Sequence, residues 1–210
     1  MSSPRSDPRA AIVGVLLAAG ASTRFRANKL LHPLPDGTPI AVAAARNLCA
    51  ALDRVVAVVR PDVPELSRAL GGAGVEVTVC PDAASGMGHS LAHAIAATPE
   101  ASGWVVALAD MPFVSPETIR RVAAALRDGA ELAAPSYRGA RGHPVAFAAR
   151  YRHELESLTG DAGARAVLKR DHQRIRVVEV DDPGVLRDID TPVDLDAGQR
   201  PGDVEPKVNS

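Results

Sequence analysis

Aromatic side chains are scarce in this chain, with one Trp, two Tyr and three Phe among 210 residues. So few rings argue against stacking platforms for single-stranded nucleic acid. Cysteine is nearly absent too. Cys49 and Cys80 stand far apart, fit no zinc or redox spacing, and sit in apolar segments as small core residues do. An excess of charge is missing: 24 Lys and Arg against 25 Asp and Glu leave a formal net charge of −1. Nothing global therefore draws the chain to DNA, RNA or an anionic membrane. No apolar run is long enough to span a bilayer. Residues 1–9 lack the apolar stretch of a signal peptide, so the expected location is cytoplasmic. Familiar catalytic motifs are also missing: there is no Walker A loop, no Gly-x-Gly-x-x-Gly and no nucleophile elbow.

The rest of the composition, 46% apolar and 23% charged, suits one globular α/β domain with a real core. Strands are predicted at Ile12–Ala18, Arg54–Val59, Val75–Cys80, Trp104–Leu108, Leu132–Ser136, His143–Phe147 and Ile175–Val180. Helices are predicted at 40–52 behind a Thr38 cap and Pro39, and at 62–70, ending at Gly71-Gly72. Others are expected at 89–97, from Ser115-Pro116 to Arg127, at about 149–158 and at 163–170. The alternation indicates βαβ units and a mostly parallel sheet, with 132–147 as a short hairpin-like excursion. Residues 1–9 are expected to form a flexible tail, 10–197 a single domain and 198–210 a disordered tail. In such sheets ligands bind at the carboxyl ends of the strands, so the loops at 18–29, 81–90, 109–112 and near Asp190 should gather on one edge.

The first of these loops carries the sharpest signal. A continuous apolar run, Val13 to Leu17, leads into Ala18-Ala19-Gly20-Ala21-Ser22-Thr23, then the cations Arg24 and Lys29. Small residues after a buried strand let backbone amides approach an anion, and two cations would complete a polyphosphate cradle. An ordinary turn with two solvated cations fits the same residues about equally well. Asp110 directly follows the strand 104–108, and Asp190 lies in Asp188-Ile189-Asp190-Thr191-Pro192. Such carboxylates can share one Mg²⁺, which takes oxygen ligands, or they can simply cap turns. Gly86-Met87-Gly88-His89-Ser90 opens a helix whose amides can meet an oxyanion or a base edge. His89 and His93 share a helix face, but no third zinc ligand is evident. Gly142-His143-Pro144 either contacts a substrate or makes a tight turn. Arg165, after Gly160-Asp161-Ala162-Gly163, either meets an anion or lies at a helix junction.

Six motifs, taken in order, resemble the molybdenum cofactor cytidylyltransferase group of the molybdopterin-guanine-dinucleotide-synthase-like nucleotidyltransferases. They are Leu17-Ala18-Ala19-Gly20-Ala21-Ser22-Thr23-Arg24-Phe25 with Lys29-Leu30-Leu31; Gly86-Met87-Gly88 with Ser90; Asp110-Met111-Pro112; Gly142-His143-Pro144-Val145; Gly160-Asp161 with Gly163-Ala164-Arg165; and Asp188-Ile189-Asp190-Thr191-Pro192. The resemblance implies a three-layer Rossmann-like α/β fold and Mg²⁺-dependent transfer of a nucleoside monophosphate, CMP from CTP in this group, to the molybdopterin form of the cofactor. It places Leu17, Ala18, Ala19, Gly20, Arg24, Lys29, Gly86 and Ser90 around the nucleotide. Asp110 and Asp190 become metal ligands, with Arg24, Lys29 and Asp110 catalytic and Gly88, His143 and Arg165 near the substrate. Ala19 stands where guanylyl-transferring relatives carry a second Gly, which favours CTP over GTP. Arg26 stands where relatives often have Gly. The partner implied is a molybdenum hydroxylase or its accessory proteins. A sugar or polyol phosphate acceptor, and a non-catalytic cofactor carrier, are the rival readings.

Overall fold

The computed structural model describes residues 11–20, 28–191 and 194. The expected tails at 1–9 and 198–210, and Arg24 and Arg26, lie outside the described residues. The strands are β1 (Ile12–Leu17), β2 (Val55–Val59), β3 (Glu76–Val79), β4 (Gly103–Leu108), β5 (Leu132–Tyr137), β6 (Ala140–Arg141), β7 (Val145–Ala148) and β8 (Ile175–Glu179). The α-helices are α1 (Ile40–Cys49), α2 (Pro64–Gly72), α3 (Met87–Ala96), α4 (Pro116–Arg127), α5 (Arg152–Glu156) and α6 (Arg165–Arg170). None of the described helices is long and apolar enough to cross a membrane.

β1 is apolar from end to end because it is buried along its whole length at the centre of the sheet. It pairs in parallel with β2 and β4, and β3 extends the sheet beyond β2. Alternate residues of β1 feed two cores. Ile12 and Leu16 join Leu48, Leu66 and Val122, from α1, α2 and α4. Val13, Val15 and Leu17 join Leu91, Leu155 and Val167, from α3, α5 and α6. The result is three layers with a mostly parallel sheet in the middle. A side chain at Gly14 would meet Leu52 at 3.0 Å and Val55 at 3.2 Å, so its absence lets the connection from α1 to β2 pack close.

Beyond β4 the direction changes. β7 inserts antiparallel between β4 and β5, and β8 pairs in parallel with β5. The expected excursion is therefore an inserted strand rather than a simple hairpin. The hairpin partner of β5 is the short β6, across Arg138-Gly139, both at positive φ. β7 starts at Val145 rather than His143, because Pro144 has no N–H for the ladder. α2 runs through Gly71-Gly72 and stops before Gly74, whose φ of 88° suits a left-handed cap. Thr38 does not cap α1: Pro39 holds that position, and the Thr38 N–H donates to Asp36 Oδ1 at 2.8 Å. Ser115 does cap α4, accepting from the Thr118 N–H at 3.2 Å.

Candidate nucleotide and metal site

The loops at the carboxyl ends of β1, β2 and β4 wall a cavity of about 450 Å³, of a size that takes small ligands. Leu17, Ala19, Gly20, Lys29, Arg60, Gly86, Ser90, Asp110 and Asp190 all line it. Ala18 is buried beneath, and Gly88, His143 and Arg165 are not among the lining residues.

Three charged groups meet at its floor. Lys29 follows Asn28, whose side chain accepts from the Leu30 N–H and starts a 3₁₀ turn over Lys29–Leu31. The Lys29 ammonium donates to Asp110 Oδ2 at 3.0 Å and Asp190 Oδ1 at 3.3 Å. Asp110 is fixed by its own loop: Ala109 N–H donates to Leu17 O, and Asn47 holds the Pro112 carbonyl at 2.8 Å. Asp190 comes from far along the chain. The Ile189 N–H donates to Asp110 O at 2.9 Å, which docks one acidic loop on the other. Asp194 Oδ2 then accepts from the Asp190 and Thr191 amides and so shapes the turn.

This segment is anchored upstream by Asp182. Its buried carboxylate accepts from the Ser115 N–H, the Thr118 hydroxyl and the Gly184 N–H, at 2.9, 2.6 and 3.0 Å. Side chains at Gly142 and Gly184 would strike the Val185 and Phe113 carbonyl oxygens at 2.1 Å, so both glycines let the 3₁₀ turn Pro183–Leu186 pack against its neighbours.

Burial pulls the Lys29 pKa down, but the charges and hydrogen bonds of Asp110 and then Asp190 outweigh it, and the net shift is upward. Lys29 is therefore a cation throughout the neutral range. The two carboxylate oxygens converge on one point charge, which is the arrangement a hard cation needs. An all-oxygen pair fits Mg²⁺ or Mn²⁺ better than a soft metal, with water and phosphate oxygens completing the shell. Among the described residues there is no cluster of three or more His, Cys, Asp or Glu side chains.

Gly86 and Gly88 serve a purpose that the sequence did not suggest. Side chains there would meet the backbone of Gly160 at 2.3 Å and of Thr159 at 2.6 Å. The Gly88 N–H donates to Gly160 O at 2.7 Å, so that amide is occupied by the chain itself. The glycines let the 159–163 loop sit on the start of α3, and this brings Asp161 to the cavity wall. Ser90, one turn further on, is buried and lines the cavity.

His89 and His93 are held by structural bonds rather than facing a common metal. His89 Nδ1 accepts from the Gly160 N–H at 3.3 Å, and His93 Nε2 pairs with the Thr78 hydroxyl at 2.8 Å. Burial pushes the His143 pKa down, against the pull of nearby Asp110, and its Nδ1 has no partner among the described residues. Arg165 is exposed at the start of α6. Burial raises the pKa of both thiols, as expected for inert core cysteines.

Arg60 and Asp182 were missed by motif reasoning, while Asp161 stood in a motif without a role of its own. Arg60 directly follows β2, so its position at a strand's carboxyl end was a usable signal. The Asp182-Pro183 pair, an acceptor ahead of a proline, was another.

The MobA-like NTP transferase domain matches residues 14–175. Purine catabolism protein PucB of Bacillus subtilis is 33% identical over 201 residues, spanning 90% of this chain and 96% of its own length. Nicotine blue oxidoreductase of Paenarthrobacter nicotinovorans is 31% identical over 189 residues, spanning 86% and 92%. The crystal structure of Rv0371c from Mycobacterium tuberculosis H37Rv aligns with a TM-score of 0.78 at 30% identity, over 90% of this chain and 96% of that one. Rv0371c has also been solved as a complex with manganese. The domain match, the full-length relatives and the shared architecture agree: this chain belongs to the MobA-like NTP transferase family of nucleotidyltransferases.

Proposed function

We propose that this protein transfers CMP from CTP to the phosphate of molybdopterin-type molybdenum cofactor and releases pyrophosphate. The observation that carries the reading is the meeting of Lys29, Asp110 and Asp190 in one cavity at the carboxyl edge of the sheet. Ala19, in the wall of that cavity, supports cytidine over guanine through the resemblance described above. The manganese complex of a relative supports a divalent metal.

The acceptor phosphate brings its own ionised oxygen, so no strong general base is required. That oxygen forms a bond to the α-phosphorus, and the bond to the bridging oxygen of pyrophosphate breaks, its electron pair leaving with pyrophosphate. The protein's work is positioning and charge stabilisation. Asp110 and Asp190 would hold Mg²⁺, which when bound neutralises phosphate oxygens and lowers the charge barrier. Lys29, with Arg24 as the resemblance implies, offsets charge on the α-phosphate and leaving group. Gly86 and Ser90 border the nucleotide, and Gly88, His143 and Arg165, which do not line this cavity, lie toward the acceptor. A molybdenum hydroxylase or its accessory proteins would receive the product.

The test is pyrophosphate release with CTP and GTP separately, against molybdopterin cofactor, a sugar phosphate and a polyol phosphate. Release with CTP and the cofactor, and a product heavier by one CMP, is the expected result. Release with a sugar or polyol phosphate alone would move the acceptor. Cofactor binding without nucleotide binding at millimolar CTP would make the protein a carrier.

A further inference from the structure

Asp110 and Asp190 share their carboxylate oxygens with a cation that belongs to the chain. The Lys29 ammonium lies 3.0 Å from one and 3.3 Å from the other, and its side chain is 13% exposed. Together the three groups carry one net negative charge. A divalent ion entering beside the ammonium would reverse that charge and set like charges a few ångströms apart in a partly buried site, where screening is weak. The metal and the ammonium therefore compete for the same two carboxylates. Lys29 can yield without any movement of the backbone. Its turn is held by Asn28, while the ammonium rides on a flexible four-carbon stem. A triphosphate in the adjoining cavity offers the displaced ammonium a new anionic partner, and it brings the negative charge that a bare metal ion lacks.

We propose that Lys29 is a resident counter-ion that keeps free divalent metal off Asp110 and Asp190, so that the site loads the metal–nucleoside triphosphate complex as one unit. This rests on the reading of the two carboxylates as metal ligands. Metal and nucleotide then bind with positive coupling, and by linkage each raises the other's affinity by the same factor.

The experiment is Mn²⁺ binding, read by loss of the free-ion paramagnetic resonance signal, with and without CTP. The proteins are wild type, Lys29→Met, Lys29→Arg and Asp110→Asn. Without nucleotide, wild type and Lys29→Arg should bind Mn²⁺ weakly. Lys29→Met should bind at least about tenfold more tightly, within the usual range of site coupling. CTP should raise the affinity of wild type by a similar factor and that of Lys29→Met by less. Mn²⁺ should also raise the melting temperature of Lys29→Met more than that of wild type, which shows that the variant is folded. Should Lys29→Met fail to fold, Lys29→Gln takes its place with the same expectations. Equal Mn²⁺ affinity of wild type and Lys29→Met without nucleotide, with Asp110→Asn binding weakly under all conditions, overturns the counter-ion role and leaves the carboxylate assignment standing. Mn²⁺ binding that is absent with CTP, or unaffected by Asp110→Asn, overturns the carboxylate assignment and the counter-ion role with it.

Discussion

Gly88→Ala separates a rule about helices from the packing in this protein. Gly88 lies in the first turn of α3. Helix propensity alone predicts that Ala there stabilises by up to about 1 kcal/mol. The structure predicts the opposite sign. The added methyl carbon would lie 2.6 Å from Thr159 O, 2.7 Å from Thr159 C and 2.9 Å from Gly160 O, all backbone atoms. Overpacking of this kind costs roughly 1–3 kcal/mol. Lengthening the 2.7 Å bond from the Gly88 N–H to Gly160 O removes about a further 0.5–1.5 kcal/mol. Against the propensity gain, the net is a loss of about 0.5–3.5 kcal/mol. For a chain of this size that lowers the melting temperature by roughly 1–14 °C. Gly71→Ala is the internal control, since it is also helical and nothing lies within 4 Å of the added carbon. It should stabilise by about 0.5–1 kcal/mol. Urea denaturation of both variants, with unchanged m-values, measures the two signs. A Gly88→Ala protein as stable as wild type would refute the claim that the 159–163 loop is clamped on α3.

Asp182→Ala strands three donors, two of them buried, and should cost about 2–4 kcal/mol in urea denaturation, with turnover also falling as Asp190 loses its anchor; unchanged stability would contradict the anchoring role. Lys29→Ala should lower turnover at least about a hundredfold in steady-state assays, by analogy with removing one preorganised donor. The Lys29 pairing also carries a pH signature. Its folded pKa is raised, so its contribution to stability is complete below the ordinary lysine value of about 10.4 and fades as pH rises through the folded value. The stability difference between wild type and Lys29→Met should hold constant from about pH 7 to 9.5 and narrow only above it; narrowing near pH 8 would contradict the sign.

Much of the fold was legible because its signals are local. β1 reads as an unbroken apolar run because both its faces are covered, and α4 announces itself through Ser115 and Pro116. The insertion of β7 between β4 and β5 was not legible, since strand order depends on long-range pairing that no local period encodes. The carboxylates Asp110 and Asp190 were visible as residues that follow apolar strands or precede a proline. Their contact with Lys29 was not, because it spans 81 and 161 positions of sequence. Gly86 and Gly88 show the converse limit. Their small size reads as room for a ligand, yet the close neighbour is the chain's own loop.

The central claim is nucleotidyl transfer at the Lys29–Asp110–Asp190 centre, and pyrophosphate release by wild type and Asp110→Ala tests it most directly. With CTP, Mg²⁺ and molybdopterin cofactor, wild type should release pyrophosphate in step with a product heavier by one CMP, and folded Asp110→Ala should release none. Near-normal release by folded Asp110→Ala would contradict the account.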